Sequence, residues 1–198
     1  MAALTVCAHP LLLRCVTALR DEATGAAGFR EQLRRAALLL AAEATRDLPI
    51  RSIRVRTPLE SAGGTELDGP VLLAPVLRAG LGLLEGFREL LPEARIGFIG
   101  LKRHEETLEA LNYHSSLPAD LAGHDVFVLD PMLATGGSAV AALALLAARC
   151  PRSLRLVCVV AAPEGVARVQ AAHPAVALFC AALDRGLNDR GFILPGLG

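Results

Sequence analysis

The stretch Val126-Phe-Val-Leu-Asp130-Pro-Met-Leu-Ala-Thr-Gly-Gly-Ser138 decides the fold class, because it combines the features of a strand, a loop and the start of a helix. Four apolar residues end in the carboxylate of Asp130, and the run Ala139–Ala148 consists largely of strong helix formers. The residues between them include two adjacent glycines and two hydroxyl side chains. This order predicts a strand, a Gly-rich loop and a helix.

The loop has the chemistry of a phosphate-monoester site. Gly136 and Gly137 allow the backbone to approach a ligand closely, Thr135 and Ser138 can donate hydroxyl hydrogen bonds, and a helix N-terminus offers free N–H groups. Asp130 can accept hydrogen bonds from the vicinal hydroxyls of a sugar. The pattern therefore predicts a ribose 5-phosphate site. The alternative is a ligand-free Gly-rich turn with a serine N-cap. A Walker A loop is disfavoured because no lysine follows the glycines.

Other short apolar runs predict the rest of the sheet. Each is followed by a Gly or Pro break and then by a helical stretch, as expected for crossover connections between parallel strands. The chain is therefore predicted to be an α/β protein whose parallel sheet has helices on both faces. Ligands in such sheets bind at the carboxyl ends of the strands. With Val126–Leu129, the runs are Val71–Val76, Ile96–Leu101, Leu156–Val160 and Val176–Ala181.

The segments outside this rhythm have simpler patterns. Apolar residues at helical spacing predict an amphipathic helix over Phe29–Ala44, and the alternation in Arg51–Arg56 predicts a half-exposed strand or arm. Ser61–Gly69 is interpreted as a Gly-rich turn region. Lys102–Leu121 is polar and too long for an ordinary connection, so we interpret it as a lid or substrate loop. Gly186–Gly198 is a Gly/Pro-rich coil.

A second candidate loop, Leu77-Arg-Ala-Gly80, follows the strand Val71–Val76. Its arginine and backbone amides could bind a diphosphate. Gly80-Leu-Gly82 also resembles the start of a dinucleotide fingerprint, but Glu85 stands where that motif requires its third glycine. A nicotinamide site is therefore the weaker interpretation. Lys102-Arg-His104 could close over an anion if it faces these loops.

Composition excludes several classes of protein. The 198 residues fit one domain, and 20 basic side chains balance 20 acidic ones, so no electrostatic footprint for nucleic acid is present. The longest apolar stretch, Ala139–Ala148, is shorter than the roughly 18 residues of a membrane span. The histidines lack metal-ligand spacing and the cysteines form no CxxC pair. We expect a soluble cytoplasmic protein with free thiols, which binds neither nucleic acid nor membrane.

Several motifs together resemble one known family. Asp130–Ser138 resembles the phosphoribosyl-pyrophosphate loop of uracil phosphoribosyltransferases, and Leu77–Gly82 resembles their pyrophosphate loop. Ala161-Ala-Pro-Glu-Gly165, Gly191–Gly198 and Glu43-Ala-Thr-Arg-Asp-Leu48 are similar to further signatures of that family. The resemblance extends from about His9 to the last residue.

The resemblance implies a fold and a reaction. The fold is the type I phosphoribosyltransferase fold, an α/β fold with a parallel-sheet core and a small hood formed by the C-terminal segment. The reaction converts uracil and 5-phospho-α-D-ribose 1-diphosphate to UMP and diphosphate in pyrimidine salvage. Mg²⁺ is the implied cofactor and is held mainly through the diphosphate substrate; the sequence identifies no metal ligands. A non-catalytic nucleotide-binding relative, acting as regulator or scaffold, is the alternative, and another base as acceptor stays open.

The resemblance also assigns roles to individual residues. Arg78, Arg103 and Asp130 are the implied catalytic residues: the arginines contact the pyrophosphate and the aspartate contacts the ribose. Ile193 and Gly198 are implied to bind uracil. The residues implied to bind phosphoribosyl pyrophosphate are Arg78, Arg103, Asp130, Pro131, Met132, Leu133, Ala134, Thr135, Gly136, Gly137 and Ser138.

We expect one phosphoribosyltransferase domain over residues 1–198. It comprises an N-terminal helix and arm (1–70), the sheet core (71–185) and a C-terminal base-binding segment (186–198). Family members continue past Pro-Gly-Leu-Gly198 with an Asp-Ala-Gly-Asp-like segment, so we expect the last segment to be shortened. Lys102 and Asn112-Tyr-His114 also depart from the family pattern. The resemblance implies a homodimer or higher homo-oligomer and admits GTP as an activator.

Overall fold

The computed structural model describes residues 4–103 and 110–197, and for 102–103 and 110–114 it describes only the backbone. Within this part of the chain, no helix is long and apolar enough to cross a bilayer. The helices are α1 (Pro10–Arg20), α2 (Ala26–Ala44), α3 (Leu81–Leu90), α4 (Gly137–Ala147) and α5 (Pro163–Ala172). The strands are β1 (Leu4–Val6), β2 (Ile50–Arg56), β3 (Ser61–Leu67), β4 (Val71–Leu77), β5 (Arg95–Ile96), β6 (Phe98–Arg103), β7 (Ala110–Ser116), β8 (Asp125–Leu129), β9 (Met132–Leu133), β10 (Ser153–Ala161), β11 (Ala177–Leu183), β12 (Gly186–Leu187) and β13 (Ile193–Leu194).

The central sheet is mostly parallel. Its order is β1-β11-β10-β8-β4-β6-β7, with β5 beside β4 and β9 beside β10. Every neighbouring pair is parallel except β6 and β7, which are antiparallel. The carboxyl ends of β4, β6, β8, β10 and β11 therefore lie at one edge of the sheet, which is the edge where ligands bind in such folds.

Alternating side chains of the central strands enter two separate cores. In β4, Val71 and Leu73 pack with residues of α1, α2 and α3, whereas Leu72, Ala74 and Val76 pack with residues of α4 and α5. Period-two alternation with both faces buried explains why the strand is apolar throughout. The prediction of an α/β fold with helices on both faces of a parallel sheet is confirmed.

One loop prediction was wrong, and a second was wrong in part of its range. Ser61–Leu67 is not a turn region, because all seven of its residues pair with β2 to form an antiparallel hairpin. Ladder hydrogen bonds there outweigh the low strand propensity of glycine. In the predicted lid Lys102–Leu121, residues 110–116 form β7, an edge strand that needs only one partner and tolerates polar residues. Residues 104–109, including His104, lie outside the described residues.

The glycines that resembled a dinucleotide fingerprint have a packing role. A Cβ on Gly86 would lie 2.6 Å from the carbonyl oxygen of Arg34 and 2.6 Å from the amide nitrogen of Leu38, both in α2. A Cβ on Gly82 would overlap the side chain of Leu33. Helices α2 and α3 therefore approach closely because α3 has glycine on the facing side. This contact accounts for the spacing without a dinucleotide.

Substituting Gly86 tests this packing. In an open helix, Gly→Ala stabilises by about 1 kcal/mol, but here the added methyl group meets the α2 backbone, and overpacking costs about 1–3 kcal/mol. We expect Gly86→Ala to lower the free energy of unfolding in urea denaturation. The matched control is Gly28→Ala in α2, where the nearest atom would be the end of the Thr24 side chain at 3.3 Å. A loss no larger for Gly86→Ala than for Gly28→Ala would contradict the account.

Candidate functional site at the carboxyl edge of the sheet

The loop after β8 is fixed to the neighbouring strand β10. The N–H of Asp130 donates to the carbonyl of Val157 (3.1 Å), and the carbonyl of Pro131 accepts from Val159 (2.9 Å) and Val160 (3.1 Å). Residues 132 and 133 then form β9, which pairs in parallel with the end of β10. The first half of the loop is therefore an extension of the sheet, and its position is set by backbone hydrogen bonds.

The second half of the loop turns sharply into α4. Gly136 has a left-handed backbone (φ 78°), and a Cβ there would lie 3.0 Å from the carbonyl oxygen of Gly165 in α5. A Cβ on Gly165 would in turn overlap the carbonyl oxygen of Ala134. Only glycine allows these backbones to meet. The packing explains why glycine occurs both in the loop and in Ala161–Gly165.

The turn encloses a small cavity beside the N-terminus of α4. Its volume is about 60 Å³, several times the roughly 10–15 Å³ that one water requires. The first N–H groups of α4 have no carbonyl partner within the helix and can bind an anion. Its lining residues are Asp130, Met132, Leu133, Ala134, Thr135, Gly136, Gly137, Ser138 and Ala139. Of the predicted loop residues, only Pro131 is not among them; its ring is buried and it has no N–H.

Arg168 is a cation beside this loop that the sequence analysis missed. Its guanidinium donates to the carbonyl of Thr135 (3.4 Å), and one guanidinium nitrogen would lie 3.6 Å from a Cβ on Gly137. The side chain comes from the exposed face of α5. In the sequence, the only indication of this role was that Arg168 comes three residues after Gly165. That spacing could be interpreted only once α5 was known to pack against the loop.

The Arg78 loop lies beside the Asp130 loop. Gly80 leaves no room for a side chain, since a Cβ would lie 2.6 Å from the amide nitrogen of Val76 and would overlap the carbonyl oxygen of Leu129. Arg78 is exposed and, within the described residues, has no carboxylate partner. Arg103 ends β6, which pairs with β4, but its side chain lies outside the described residues.

The C-terminal segment also reaches this edge. Strands β12 and β13 form a hairpin, and Glu164 of α5 accepts a hydrogen bond from the N–H of Leu187 (3.1 Å). A Cβ on Gly191 would lie 3.5 Å from the Thr135 methyl carbon, so the hairpin adjoins the loop. Ile193 is buried in the core, which leaves its backbone as the part available to a ligand. Gly198 lies outside the described residues.

Burial changes the acidity of Asp130. It raises the pKa of this carboxyl from 3.8 to about 6, and the N–H of Met132 partly counteracts the rise by donating to the carboxylate. A carboxylate at this strand end can accept hydrogen bonds from two hydroxyls of a sugar, and such donors favour its charged form. The edge therefore combines an anion-binding helix start, a carboxylate and at least two exposed cations, Arg78 and Arg168.

Comparison with known proteins identifies the family. The family model described as "Uracil phosphoribosyltransferase" matches residues 6–198. The chain belongs to the uracil phosphoribosyltransferase family. A curated uracil phosphoribosyltransferase of Paracoccus denitrificans is 50% identical over 198 residues, which are 100% of this chain and 94% of that protein. The resemblance of the loop motifs is thereby confirmed.

Solved structures share the fold of this chain. The AQ2163 protein from Aquifex aeolicus superposes with a TM-score of 0.94 at 38% identity, covering 99% of this chain and 94% of that one. A hypoxanthine-guanine phosphoribosyltransferase of Bacillus anthracis has a TM-score of 0.54 at 13% identity, with 80% of each chain covered, and shows likeness of fold alone. The type I phosphoribosyltransferase fold is therefore confirmed.

The described side chains could bind a metal ion only together with the phosphate groups of a bound substrate. Within residues 4–103 and 110–197, no cluster of three or more histidine, cysteine or acidic side chains could hold an ion. Mg²⁺ commonly keeps several waters and binds through one or two carboxylates plus substrate phosphates. Asp130, beside a helix start whose N–H groups can bind a phosphate, fits that arrangement.

The raised pKa of Asp130 predicts that Asp130→Asn stabilises the fold. Because the folded-state pKa lies above the ordinary value, ionisation costs stability as pH rises from 3.8 to about 6. At pH 7 the variant should gain up to about 3 kcal/mol in free energy of unfolding, and below about pH 4 the gain should vanish. The matched control is Asp120→Asn, an exposed aspartate that also accepts a backbone N–H two residues on. If the difference in free energy of unfolding between Asp130→Asn and the unsubstituted protein did not change with pH, the raised pKa of Asp130 would be contradicted.

A charged side chain at position 137 tests whether the loop Asp130–Ser138 binds phosphate. A carboxylate there would stand next to the Arg168 guanidinium and the N–H groups of α4. We expect Gly137→Asp to weaken ribose 5-phosphate binding by at least about 100-fold, because unit charges roughly 5 Å apart in an effective dielectric of about 20 repel each other by about 3 kcal/mol. Gly137→Ala is the steric control, because its methyl would make only ordinary contacts. If calorimetry gave both variants the same affinity for ribose 5-phosphate, phosphate binding at this loop would be contradicted.

Proposed function

We propose that this chain transfers the 5-phosphoribosyl group from phosphoribosyl pyrophosphate to uracil, producing UMP and diphosphate in pyrimidine salvage. The observation that carries the proposal is the cavity at the start of α4, with Asp130 at one end and the C-terminal hairpin against its Thr135 side. A nucleoside monophosphate needs these three parts close together: a phosphate site, a group for the ribose hydroxyls and a surface for the base.

In this proposal the loop Asp130–Ser138 holds the phosphorylated sugar. The N–H groups of Gly137 and Ser138 and the hydroxyls of Thr135 and Ser138 bind the 5-phosphate, and Asp130 accepts from the ribose hydroxyls. Arg168 adds a positive charge beside the 5-phosphate. Pro131, Met132, Leu133 and Ala134 shape the loop, and their own contacts with the substrate stay predictions.

The pyrophosphate is assigned to the two strand-end arginines. Arg78 is exposed in the loop beside the Asp130 loop, and Arg103 is the last residue of β6 at the same edge. Guanidinium groups bind phosphate oxygens in a bidentate manner and stay charged, so they favour departure of the diphosphate. Mg²⁺, held by the diphosphate and Asp130, would neutralise further charge on the leaving group.

The base is assigned to the C-terminal segment. Because the Ile193 side chain is buried, recognition of uracil at this position would use backbone N–H and C=O groups. Gly198 keeps its predicted role in uracil binding. The reaction breaks the bond between the anomeric carbon and the pyrophosphate oxygen, and a uracil nitrogen forms the new bond. The protein contributes orientation and charge stabilisation.

A panel of bases tests the reaction. Pyrophosphate release from phosphoribosyl pyrophosphate is followed with uracil, cytosine, hypoxanthine, guanine and adenine. Release with uracil at least about tenfold above the others supports the proposal, equivalent to about 1.4 kcal/mol in transition-state binding. A preference for a purine would overturn the assignment of the base. Calorimetric binding of UMP without turnover would favour the non-catalytic regulator or scaffold.

The proposal extends to assembly and location. We propose that residues 1–198 form a single domain. We also propose that the protein is a homodimer or higher homo-oligomer and that it is cytoplasmic. The β2–β3 hairpin supports self-association, because it carries Ile50 (63% exposed), Val55, Leu59 (95% exposed) and Leu67. The free state of all five cysteines suits a reducing compartment. Activation by GTP stays a prediction, which turnover with and without GTP tests.

Arg103→Ala tests the pyrophosphate assignment. Since UMP has no pyrophosphate, we expect the variant to lose about 100-fold or more in turnover, as when a transition-state donor is removed, while UMP affinity stays nearly unchanged. Arg88→Ala, an exposed arginine in the last turn of α3, is the control and should leave both quantities unaltered. Parallel losses in turnover and UMP affinity for Arg103→Ala would place the residue on the 5-phosphate or in the fold.

A further inference from the structure

Gly196, in the C-terminal segment, is held by the ion pair between Arg20 and Asp184. The guanidinium of Arg20, the last residue of α1, donates to both carboxylate oxygens of Asp184 (2.5 and 3.2 Å) and to the carbonyl of Gly196 (3.1 Å). The second oxygen of Asp184 also accepts from the N–H of Gly196 (2.9 Å). The pair thus binds both polar backbone groups of the same residue.

The surroundings make this contact strong. The Asp184 side chain is 3% exposed and that of Arg20 is 24% exposed, so solvent competes little for the carboxylate. Asp184 itself is fixed by its N–H, which donates to the carbonyl of Ala161 at the end of β10 (2.8 Å). The ion pair therefore connects α1 and the sheet edge to the chain after Leu194-Pro195.

Gly196 lies in a tight turn. Its backbone is left-handed (φ 72°), and a Cβ would lie 2.5 Å from the carbonyl oxygen of Ile193. The turn at residues 193–196 is therefore tight, and its two polar groups depend on Arg20 and Asp184. Loss of Arg20 would leave a buried carboxylate without its cation and the Gly196 carbonyl without this donor.

We propose that Arg20 and Asp184 are positioning residues for the base. They hold the backbone at Gly196 in the geometry that recognises uracil, and so set affinity for the base without contacting it. This inference rests on the proposed function of residues 193–198. A base read by backbone groups is discriminated only if that backbone is rigid, because hydrogen-bond energy falls steeply with misalignment.

A merely structural role makes a different prediction. An ion pair that only stabilises the fold would, when broken, reduce the fraction of active protein and lower kcat without changing either KM. A positioning role changes KM for uracil and leaves KM for phosphoribosyl pyrophosphate unaltered, because the loop Asp130–Ser138 is fixed by other contacts. The two roles are therefore separable by kinetics on the folded protein.

The chain supplies a matched control in Arg152. Its guanidinium (31% exposed) pairs with the buried carboxylate of Asp125 (3% exposed), much as Arg20 pairs with Asp184. Asp125 begins β8 and pairs with the first residue of β4, so this second pair lies at the opposite edge of the sheet. Arg152→Ala removes the same kind of interaction far from the proposed base.

The experiment compares Arg20→Ala, Arg20→Lys and Arg152→Ala in the full chain, at a temperature where all are folded. For Arg20→Ala we expect KM for uracil to rise about 10- to 100-fold, as expected for misplaced hydrogen-bond partners, with KM for phosphoribosyl pyrophosphate within about twofold. Lysine keeps the charge but not the fork, so Arg20→Lys should recover part of the loss. Arg152→Ala should lower the melting temperature and leave both KM values unchanged.

Hydrogen exchange supplies a readout that needs no turnover. Amides in a peptide covering residues 193–197 should exchange faster in Arg20→Ala than in wild type, while a peptide covering 130–138 should not change. Unchanged KM for uracil, or unchanged exchange at 193–197, would overturn the inference. If wild type itself releases no pyrophosphate with uracil, the proposed function fails, and the exchange comparison alone decides whether Arg20 holds this segment.

Discussion

The close packing of the loop Asp130–Ser138 between β10 and the first turn of α5 is the constraint on which the site depends. Backbone hydrogen bonds from β10 fix its first half, and contact with Gly165 fixes its second half. The carboxylate, the left-handed turn and the start of α4 therefore keep one mutual geometry. A rigid loop allows its N–H groups to bind an anion without first being ordered, which lowers the entropic cost of binding.

The same packing brings the other parts of the site to the loop. Because α5 begins against the loop, Glu164 in its first turn lies where it can hold Leu187, and Arg168 lies beside Thr135. The C-terminal hairpin then reaches Thr135 through Gly191. Arg20 and Asp184 fix the far end of that hairpin from a different element. The proposed sugar-phosphate and base sites are thus built on one framework.

Local patterns in the sequence predicted much of this arrangement. The apolar runs identified the central strands, and the order carboxylate, double glycine and hydroxyl identified the loop at the strand end, because these signals are short-range. Gly165, Arg168 and the Arg20–Asp184 pair could not be interpreted, since their meaning comes from contacts between elements distant in the chain. The prediction of a turn region over Ser61–Gly69 was wrong for the same reason. Its glycines indicated a turn, but residues 61–67 pair with β2, and this pairing decided the structure.

A crystal structure of the chain with UMP bound is the most direct test of the central claim, that one carboxyl-edge site binds sugar phosphate and base together. The account predicts the phosphate on the N–H groups at the start of α4, the ribose hydroxyls on Asp130 and the uracil ring against the backbone of residues 193–197. The opposite edge has a larger cavity, of about 510 Å³, lined in part by Arg152, Arg155 and His173. UMP bound there, or a phosphate at the α4 cavity with the base turned away from the C-terminal segment, would contradict it.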